Sequence, residues 1–127
     1  MPRQLRILIV EDYPDTRESL RHLVEIWGHH ADVAGNGRDG LGFAQKCRYD
    51  AVILDLVLPD GPDGIEVGRG IAQQAERPYL IAYSAYSSDT DRALTRETGF
   101  DLHLAKGSLK SIDLLEAKLA GLSDQSI

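Results

Sequence analysis

Short runs of branched apolar residues alternate with amphipathic stretches along the chain, and this alternation constrains the fold most strongly. The run RILIV (6–10) has no polar residue after its first, which is typical of a parallel strand covered on both faces. The stretch 14–28 that follows has apolar residues at the spacing of one helix face: Leu20, Leu23, Val24 and Trp27. The same pair of patterns recurs to the end of the chain, which indicates a repeated strand–helix unit.

The alternation predicts five strands and five helices. The predicted strands are 6–10, 31–34, 51–55, 78–84 and 100–105, and the predicted helices are 14–28, 38–47, about 64–75, 88–99 and 111–122. Asp15 followed by Glu18 resembles a capping signal for the first helix, and Gly28 is its predicted stop. Right-handed crossovers place helices on both faces of such a sheet. The predicted fold class is therefore α/β, with a doubly wound parallel sheet.

The length and composition suit one compact domain. A chain of 127 residues, of which 43% are hydrophobic, buries roughly two-thirds of its unfolded surface. We find no internal repeat or linker, and we expect the domain to span residues 1–122, with a C-terminal tail at 123–127. The single cysteine, Cys47, excludes an intrachain disulfide, is typical of a reducing compartment, and is expected to fill space in the core.

Charge and hydropathy exclude several classes of partner. The net charge of −6 argues against direct nucleic-acid binding, which requires basic patches. No apolar run approaches the ~18 residues of a membrane-spanning helix, and MPRQLR lacks the apolar region of a signal peptide. We therefore expect a cytoplasmic protein without membrane insertion.

Polar side chains end four of the five predicted strands. Glu11 and Asp12 follow the first strand, Asp55 ends the third, Ser84 ends the fourth and Lys106 follows the fifth. Open parallel sheets bind ligands beyond the carboxyl ends of their strands. These five side chains are therefore expected to meet at one edge of the sheet.

The side chains at this edge suit phosphoryl chemistry. Burying an unpaired carboxylate at the position of Asp55 costs several kcal/mol, so its charge is expected to serve a function. Clustered carboxylates without His or Cys suit Mg²⁺, which commonly bridges to phosphate. Carboxylates form acyl phosphates, and Ser84, Lys106 and the N–H groups after Asp55 could bind the phosphoryl oxygens. We therefore predict that Asp55 becomes phosphorylated.

Four motifs in this order resemble the receiver domain of two-component response regulators, a CheY-like superfamily. They are ILIVED (7–12), DAVILDLVLPDG (50–61), LIAYSA (80–85) and LAKG (104–107). The resemblance covers essentially the whole chain. It implies a flavodoxin-like (βα)5 sheet with strand order 2-1-3-4-5.

The resemblance also implies a role for each site residue. Asp55 would accept a phosphoryl group from a histidine kinase or histidine phosphotransfer protein, and Ser84 and Lys106 would contact the phosphoryl oxygens. The implied Mg²⁺ ligands are the carboxylates of Glu11, Asp12 and Asp55 and the backbone carbonyl of Val57. Such a domain is no enzyme but a stoichiometric acceptor with intrinsic autodephosphorylation. Its phosphorylation rearranges the partner-binding face of helix 4, strand 5 and helix 5.

The chain departs from the family pattern at three places. His103 stands where the family has an aromatic switch residue. We expect it to be an exposed strand residue. If it does act as the switch, its protonation could couple activation to pH. Gly107 replaces a cis-proline, so we expect a trans bond after Lys106 and a rerouted loop, because non-proline cis bonds cost about 2.5–4 kcal/mol. The loop LPDGPDG (58–64) is one residue longer, and we expect it to bulge locally and leave the site intact.

Two positions beside the site tune phosphoryl lifetime in the family. Here they are Tyr86 and Val57, whose bulky and apolar side chains would obstruct attacking water. We therefore expect a long-lived phosphoryl group.

Three other classes of protein share part of this pattern. A pseudo-receiver would retain the fold as a phosphorylation-independent binding module. The complete acidic, hydroxyl and lysine positions argue against it, and the missing proline and aromatic residue favour it mildly. A haloacid-dehalogenase phosphatase requires a second Asp where this chain has Val57. A flavodoxin-like cofactor binder is disfavoured because EDYPDTRE (11–18) would repel a phosphate. The kinase and the output remain unidentified by the sequence.

Overall fold

Five strands and five helices alternate along residues 2–125, which are the residues that the computed structural model describes. The strands are β1 (Arg6–Val10), β2 (His30–Ala34), β3 (Ala51–Leu54), β4 (Tyr79–Ser84) and β5 (Leu102–Ala105). The helices are α1 (Pro14–Ile26), α2 (Gly37–Lys46), α3 (Gly64–Ala72), α4 (Asp89–Thr98) and α5 (Leu109–Asp124). The predicted number and order of elements are confirmed.

The strands form one parallel sheet in the order β2-β1-β3-β4-β5. In the register, Val10 pairs with Leu54 of β3 and with Ala34 of β2. Glu11 and Asp55 therefore leave neighbouring strands at the same level. Both the predicted fold class and the strand order are confirmed.

Each face of the sheet packs against its own helices. Alternate strand residues such as Ile9 and Ile53 pack with Leu20 of α1 and Leu115 of α5. The residues between them pack on the opposite face, with α2 and α3. This two-sided burial explains why the strands are continuously apolar. Within residues 2–125, none of the helices is both long and apolar enough to cross a bilayer.

The start of α1 differs from the capping prediction. Tyr13 is the N-cap residue and makes no side-chain cap, while Asp15 lies inside the first turn. Pro14 begins the helix because its fixed φ suits the first helical position and it has no N–H to leave unpaired. The predicted capping role of Asp15 is therefore wrong, whereas Gly28 (φ 95°) does follow the helix end as predicted.

Two other helices and the last strand differ from their predicted limits by two residues or more, and β5 begins at Leu102 rather than at residue 100. α3 ends at Ala72, three residues before the predicted limit, and α5 runs from Leu109 to Asp124 rather than over 111–122. Ser123 is buried, and its backbone carbonyl accepts a hydrogen bond from Arg3 N–H (2.9 Å). Of the predicted tail, residues 126 and 127 lie outside the described residues.

The loop between β3 and α3 turns through two left-handed residues, Asp60 (φ 41°) and Gly61 (φ 105°). Asp63 then caps α3, since its side chain accepts from Glu66 N–H (2.9 Å) and the Glu66 side chain accepts from Asp63 N–H. Of the two Asp-Gly pairs in the loop, the second one opens the helix. A Cβ on Gly64 would lie 2.1 Å from the Asp55 carbonyl oxygen, so the loop passes tightly over the end of β3.

The bond between Lys106 and Gly107 is trans, as are all peptide bonds of the described residues. This outcome confirms the prediction made from the missing proline. Gly107 adopts φ 79°, a left-handed conformation that favours glycine.

Candidate functional site

Asp55 lies directly after β3 and is 6% exposed. Its Oδ1 accepts a hydrogen bond from Val57 N–H (3.2 Å), and its Oδ2 accepts one from Lys106 Nζ (3.0 Å). The carboxylate predicted at the end of the most apolar strand is therefore buried and paired with a cation. Its two oxygens are held from opposite sides, by the backbone of its own loop and by the end of β5.

Glu11 and Asp12, which we term the acid pair, leave β1 beside Asp55. Glu11 is 2% exposed and Asp12 is exposed. Glu11 Oε2 accepts a hydrogen bond from Tyr13 N–H (3.1 Å). Its Oε1 is buried and forms an ion pair with Lys106 Nζ (2.6 Å), in a geometry that makes no regular hydrogen bond.

The three carboxylates lie close enough together to share one cation. One oxygen from each of Glu11, Asp12 and Asp55 lies within 4.8 Å of the others. All donor atoms are oxygens, which suits a hard cation such as Mg²⁺. The buried Glu11 Oε1 is an acceptor that such a cation would satisfy. The residues therefore fit the metal that the sequence predicts, and the backbone carbonyl of Val57 stays a predicted fourth ligand.

Burial and neighbouring charges perturb ionisation at this site. Burial raises the pKa of Glu11 to about 7; the Lys106 ammonium and the Tyr13 N–H oppose that increase, and Asp55 adds to it. Burial alone would lower the pKa of Lys106, but its contacts with Glu11 and Asp55 outweigh burial and hold that pKa above its ordinary value. Lys106 is therefore charged and bridges two carboxylates.

Ser84 ends β4 and is fully buried. Its Oγ accepts a hydrogen bond from Tyr86 N–H (3.0 Å), which forms a serine turn and leaves the hydroxyl hydrogen free to donate elsewhere. Its backbone carbonyl accepts from Lys106 N–H (2.9 Å). Ser84 thus lies at the same edge of the sheet as Lys106, and its predicted contact with a phosphoryl group stays a prediction.

Val57 and Tyr86 follow the third and fourth strands and expose their side chains. Val57 is 54% exposed and Tyr86 is 60% exposed. Val57 is two residues from Asp55, and Tyr86 is two residues from Ser84. Their predicted effect on phosphoryl lifetime stays a prediction.

His103 is buried at 9% exposure, so the expectation of an exposed strand residue is wrong. Its Nδ1 lies 3.0 Å from Thr95 Oγ1, and its Nε2 lies 3.1 Å from both Ser87 Oγ and the Tyr86 carbonyl oxygen. β5 is an edge strand, but α4 and the loop after β4 cover this face of it and offer polar partners to both ring nitrogens. Burial, together with the charge of Arg92, lowers the pKa of His103.

Ser87 and Thr95 were not predicted as functional residues. Ser87 Oγ donates to the Ser84 carbonyl (3.2 Å). The Thr95 hydroxyl has two acceptors within reach, the Arg92 carbonyl (3.1 Å) and His103 Nδ1 (3.0 Å). Through His103, these hydroxyls connect the end of β4 to α4. No spacing rule relates them to His103 in the sequence, because the three residues come from different elements.

Comparison with known proteins identifies a family. The family model of the response regulator receiver domain matches residues 7–118. The transcriptional regulatory protein PcoR of Escherichia coli is 37% identical over 101 residues, which cover 80% of this chain and 44% of that protein. The sensor histidine kinase AtsR of Burkholderia thailandensis is 36% identical over 91 residues, which cover 68% of this chain and 15% of that protein. The chain therefore spans less than half of either relative.

A solved structure agrees with these sequence relatives. It is the receiver domain of the sensor histidine kinase PA1611 from Pseudomonas aeruginosa, with a magnesium ion coordinated in its active site cleft. Its identity is 26% and its TM-score is 0.81, over 94% of this chain and 99% of that chain. The family match, the sequence relatives and the shared fold lead to one conclusion: this chain belongs to the response regulator receiver domain family.

Proposed function

We propose that the protein accepts a phosphoryl group on Asp55 from a histidine kinase or a histidine phosphotransfer protein and, in response, changes its affinity for a partner. Receiver domains as a family are phosphorylated by histidine kinases. One observation carries the proposal for this chain. The buried Asp55 carboxylate is hydrogen-bonded to Lys106 (3.0 Å) and lies within 4.8 Å of the oxygens of the acid pair.

The transfer requires a nucleophile, a means of neutralising charge, and donors for the phosphoryl oxygens. An Asp55 oxygen attacks phosphorus, the O–P bond forms, and the P–N bond of the phosphohistidine breaks. The electron pair of that bond stays on the imidazole nitrogen, which then takes a proton from solvent. Asp55 suits this role because it directly follows β3, whose four residues are all buried, and so lies at the edge of the sheet.

Lys106 and Ser84 would bind the oxygens of the transferred group. The Lys106 ammonium already lies 3.0 Å from Asp55, so a small shift could bring it from the carboxylate to a phosphoryl oxygen. The Ser84 hydroxyl hydrogen is free to donate, because Oγ acts as an acceptor toward Tyr86. The Val57 N–H, which donates to Asp55 Oδ1, is a further donor beside the same carboxylate.

The acid pair and Asp55 would hold Mg²⁺, with the Val57 carbonyl as a further ligand. The ion would supply positive charge against the charge that develops on the transferred oxygens. Among residues 2–125, Lys106 is the one cation paired with Glu11 and Asp55, and Asp12 is exposed. The structure of the PA1611 receiver domain, which holds magnesium in its cleft, supports this part of the proposal.

The proposed role is that of a stoichiometric acceptor with slow autodephosphorylation, not that of an enzyme. PcoR is a transcriptional regulatory protein and AtsR is a sensor histidine kinase, so related segments occur in both kinds of signalling protein. We propose that the chain acts in the cytoplasm and passes its signal through the face of α4, β5 and α5. His103, which contacts α4 through Thr95, lies at that face.

Phosphoramidate tests the proposal because its P–N bond resembles that of phosphohistidine. The protein is incubated with phosphoramidate, with and without Mg²⁺, and its intact mass is measured. We expect one phosphoryl adduct that requires Mg²⁺ and is lost in Asp55→Asn. Asp60→Asn is the matched control, since it removes a carboxylate from the same loop and Asn tolerates the left-handed conformation of Asp60. Absence of an adduct on the folded protein would favour the phosphorylation-independent binding module.

A further inference from the structure

Arg17 extends from α1 back to the turn that carries the acid pair. Its Nη1 donates to the Glu11 carbonyl oxygen (3.1 Å) and to the Asp12 carbonyl oxygen (3.3 Å). Its backbone N–H donates to the Tyr13 carbonyl oxygen (2.9 Å). One residue thus contacts three consecutive carbonyl groups between β1 and α1.

The turn between β1 and α1 lacks the usual means of fixing a helix start. Tyr13 offers no side-chain cap, and Pro14 has no N–H to donate. Glu11 N–H is bonded to the Ala34 carbonyl oxygen (3.0 Å), but the residues after it have left the sheet. The Arg17 side chain therefore holds the turn before α1 in place, as the side chain of an N-cap residue does in other helices.

Gly35 leaves room for the Arg17 guanidinium. A Cβ at position 35 would lie 3.0 Å from Arg17 Nη1, which is closer than nearly all such contacts. Gly35 does not have a positive φ, so space rather than backbone conformation explains this glycine. The residue after β2 and the first turn of α1 together hold the guanidinium against the acid pair.

The charge of Arg17 is placed differently from that of Lys106. The Lys106 ammonium contacts carboxylate oxygens of Glu11 and Asp55, which are the atoms that a metal ion would bind. Arg17 bonds the backbone carbonyls of the acid pair and leaves both carboxylates available. Arg17 can therefore hold the ligand-bearing turn in place whether or not a cation is bound.

We propose that Arg17 is a positioning residue that sets the cation affinity of the site by fixing the acid pair toward Asp55. This inference rests on the metal-binding part of the proposed function. A positioning role and a simple charge effect predict opposite results for removal of Arg17. Loss of a nearby positive charge alone would strengthen Mg²⁺ binding, whereas loss of hydrogen bonds from a charged donor would release the turn and weaken it.

Isothermal titration calorimetry with Mg²⁺ tests the proposal on the full chain. We expect Arg17→Met to weaken Mg²⁺ affinity at least about fivefold, the loss of about one hydrogen bond from a charged donor. Arg17→Lys keeps the charge but not the guanidinium, and should fall between Arg17→Met and the original protein. Arg21→Met is the matched control, because Arg21 lies one turn further along α1 and pairs with Glu18 (2.6 Å) on the exposed surface.

Gly35→Ala provides a test that keeps Arg17 in the chain. The added Cβ would lie 3.0 Å from Nη1 and shift the guanidinium by a few tenths of an ångström, so Gly35→Ala should weaken Mg²⁺ affinity less than Arg17→Met does and have no further effect in the Arg17→Met background. Hydrogen exchange at Tyr13 N–H, which donates to Glu11 Oε2, should be faster in Arg17→Met. A destabilised helix alone would speed exchange along α1 without this effect on Mg²⁺ affinity.

Each result supports or overturns the proposal. If folded Arg17→Met binds Mg²⁺ as tightly as the original protein, or more tightly, the positioning role of Arg17 is overturned. The proposed function would then stay intact. Equal weakening by Gly35→Ala in both backgrounds would overturn the positioning role too. If Arg17→Met does not fold, unchanged Mg²⁺ affinity in Arg17→Lys overturns it. An original protein that binds no Mg²⁺ would overturn both this inference and the metal-dependent part of the proposed function.

Discussion

His103 on β5 is joined to Thr95 on α4 by a 3.0 Å contact between Nδ1 and Oγ1. On its other side, Nε2 lies 3.1 Å from the Tyr86 carbonyl oxygen. A carbonyl can only accept, so Nε2 carries the hydrogen of the neutral ring and Nδ1 must accept. The single Thr95 hydroxyl hydrogen then points to Nδ1 rather than to the Arg92 carbonyl oxygen (3.1 Å). A neutral histidine can therefore bind both partners at once.

Replacing His103 should cost stability in a pH-dependent manner. Burial and Arg92 lower its folded-state pKa below the ordinary value, so the unfolded chain binds more protons as pH falls and the folded state loses stability below about pH 6.5. His103→Phe should destabilise the protein by about 1–3 kcal/mol at about pH 8, because Tyr86 O loses its donor, and by less at about pH 5.5. Urea unfolding measures both values, with His22→Gln on exposed α1 as the control. A pH-independent difference would contradict this account.

Mg²⁺ affinity should fall as pH falls through neutrality. Burial raises the pKa of Glu11 to about 7 in the metal-free protein, so protons and Mg²⁺ compete for its carboxylate. Calorimetric titration at about pH 8 and about pH 6 should show weaker binding at the lower value. Glu11→Gln should bind more weakly at both values and lose most of the pH dependence. Equal affinities of the original protein at the two values would show that Glu11 does not control binding.

Lys106→Met should separate cation binding from phosphoryl acceptance. The Lys106 ammonium contacts Glu11 and Asp55 and competes with a metal ion, so its removal should increase Mg²⁺ affinity. The same change removes a donor for the phosphoryl oxygens and should slow labelling by phosphoramidate. Lys110→Met, on the exposed start of α5, should change neither. Weaker Mg²⁺ binding in Lys106→Met would contradict the competition between the two cations.

Gly64→Ala and Gly42→Ala should have opposite effects on stability. A Cβ on Gly64 would lie 2.1 Å from the Asp55 carbonyl oxygen, so the loop would have to move, at a cost of about 2–3 kcal/mol or more. A Cβ on Gly42 meets nothing within 4 Å inside α2, where alanine is favoured over glycine by about 0.5–1 kcal/mol. Denaturant unfolding should show the first variant destabilised and the second stabilised. Equal changes in the free energy of unfolding of the two variants would contradict the close contact between Gly64 and the Asp55 carbonyl oxygen.

Tyr86→Ala should shorten the lifetime of the phosphoryl group. Tyr86 lies two residues after Ser84 and exposes its side chain beside the site, where it would obstruct attacking water. Loss of the phosphoryl adduct is followed by intact mass after removal of the donor. Phe43→Ala, an exposed aromatic on α2, is the control. A half-life in Tyr86→Ala no shorter than in the original protein would exclude this role.

The sequence was sufficient to predict the edge of the sheet that carries the site. Asp55, Lys106 and the acid pair were placed together because parallel strands end at the same level, and the structure brings them within contact distance. The order of the strands and helices could be predicted from the spacing of apolar residues along the chain. These features depend on local pattern, which the sequence records directly.

The features that the sequence could not predict depend on contacts between elements. His103 was expected to be exposed because a strand residue reveals nothing of the helix that covers it, and Thr95 comes from that helix. The sequence does not reveal the contacts of Arg17 with the acid pair, because they require the side chain to fold back over the first turn of α1. The limits of α3 and α5 were misplaced by two or three residues because helix ends depend on caps and packing.

Mapping the modified residue tests phosphorylation of Asp55 most directly. After incubation with phosphoramidate and Mg²⁺, borohydride reduces an aspartyl phosphate to an alcohol, and trypsin releases residues 49–69 as one peptide. That peptide contains Asp50, Asp55, Asp60 and Asp63, so fragmentation distinguishes the four carboxylates. Reduction at Asp55 alone, and only with Mg²⁺, is the predicted result. Reduction at another aspartate, or none in the folded protein with Mg²⁺ supplied, would contradict the role of Asp55 as the phosphoacceptor.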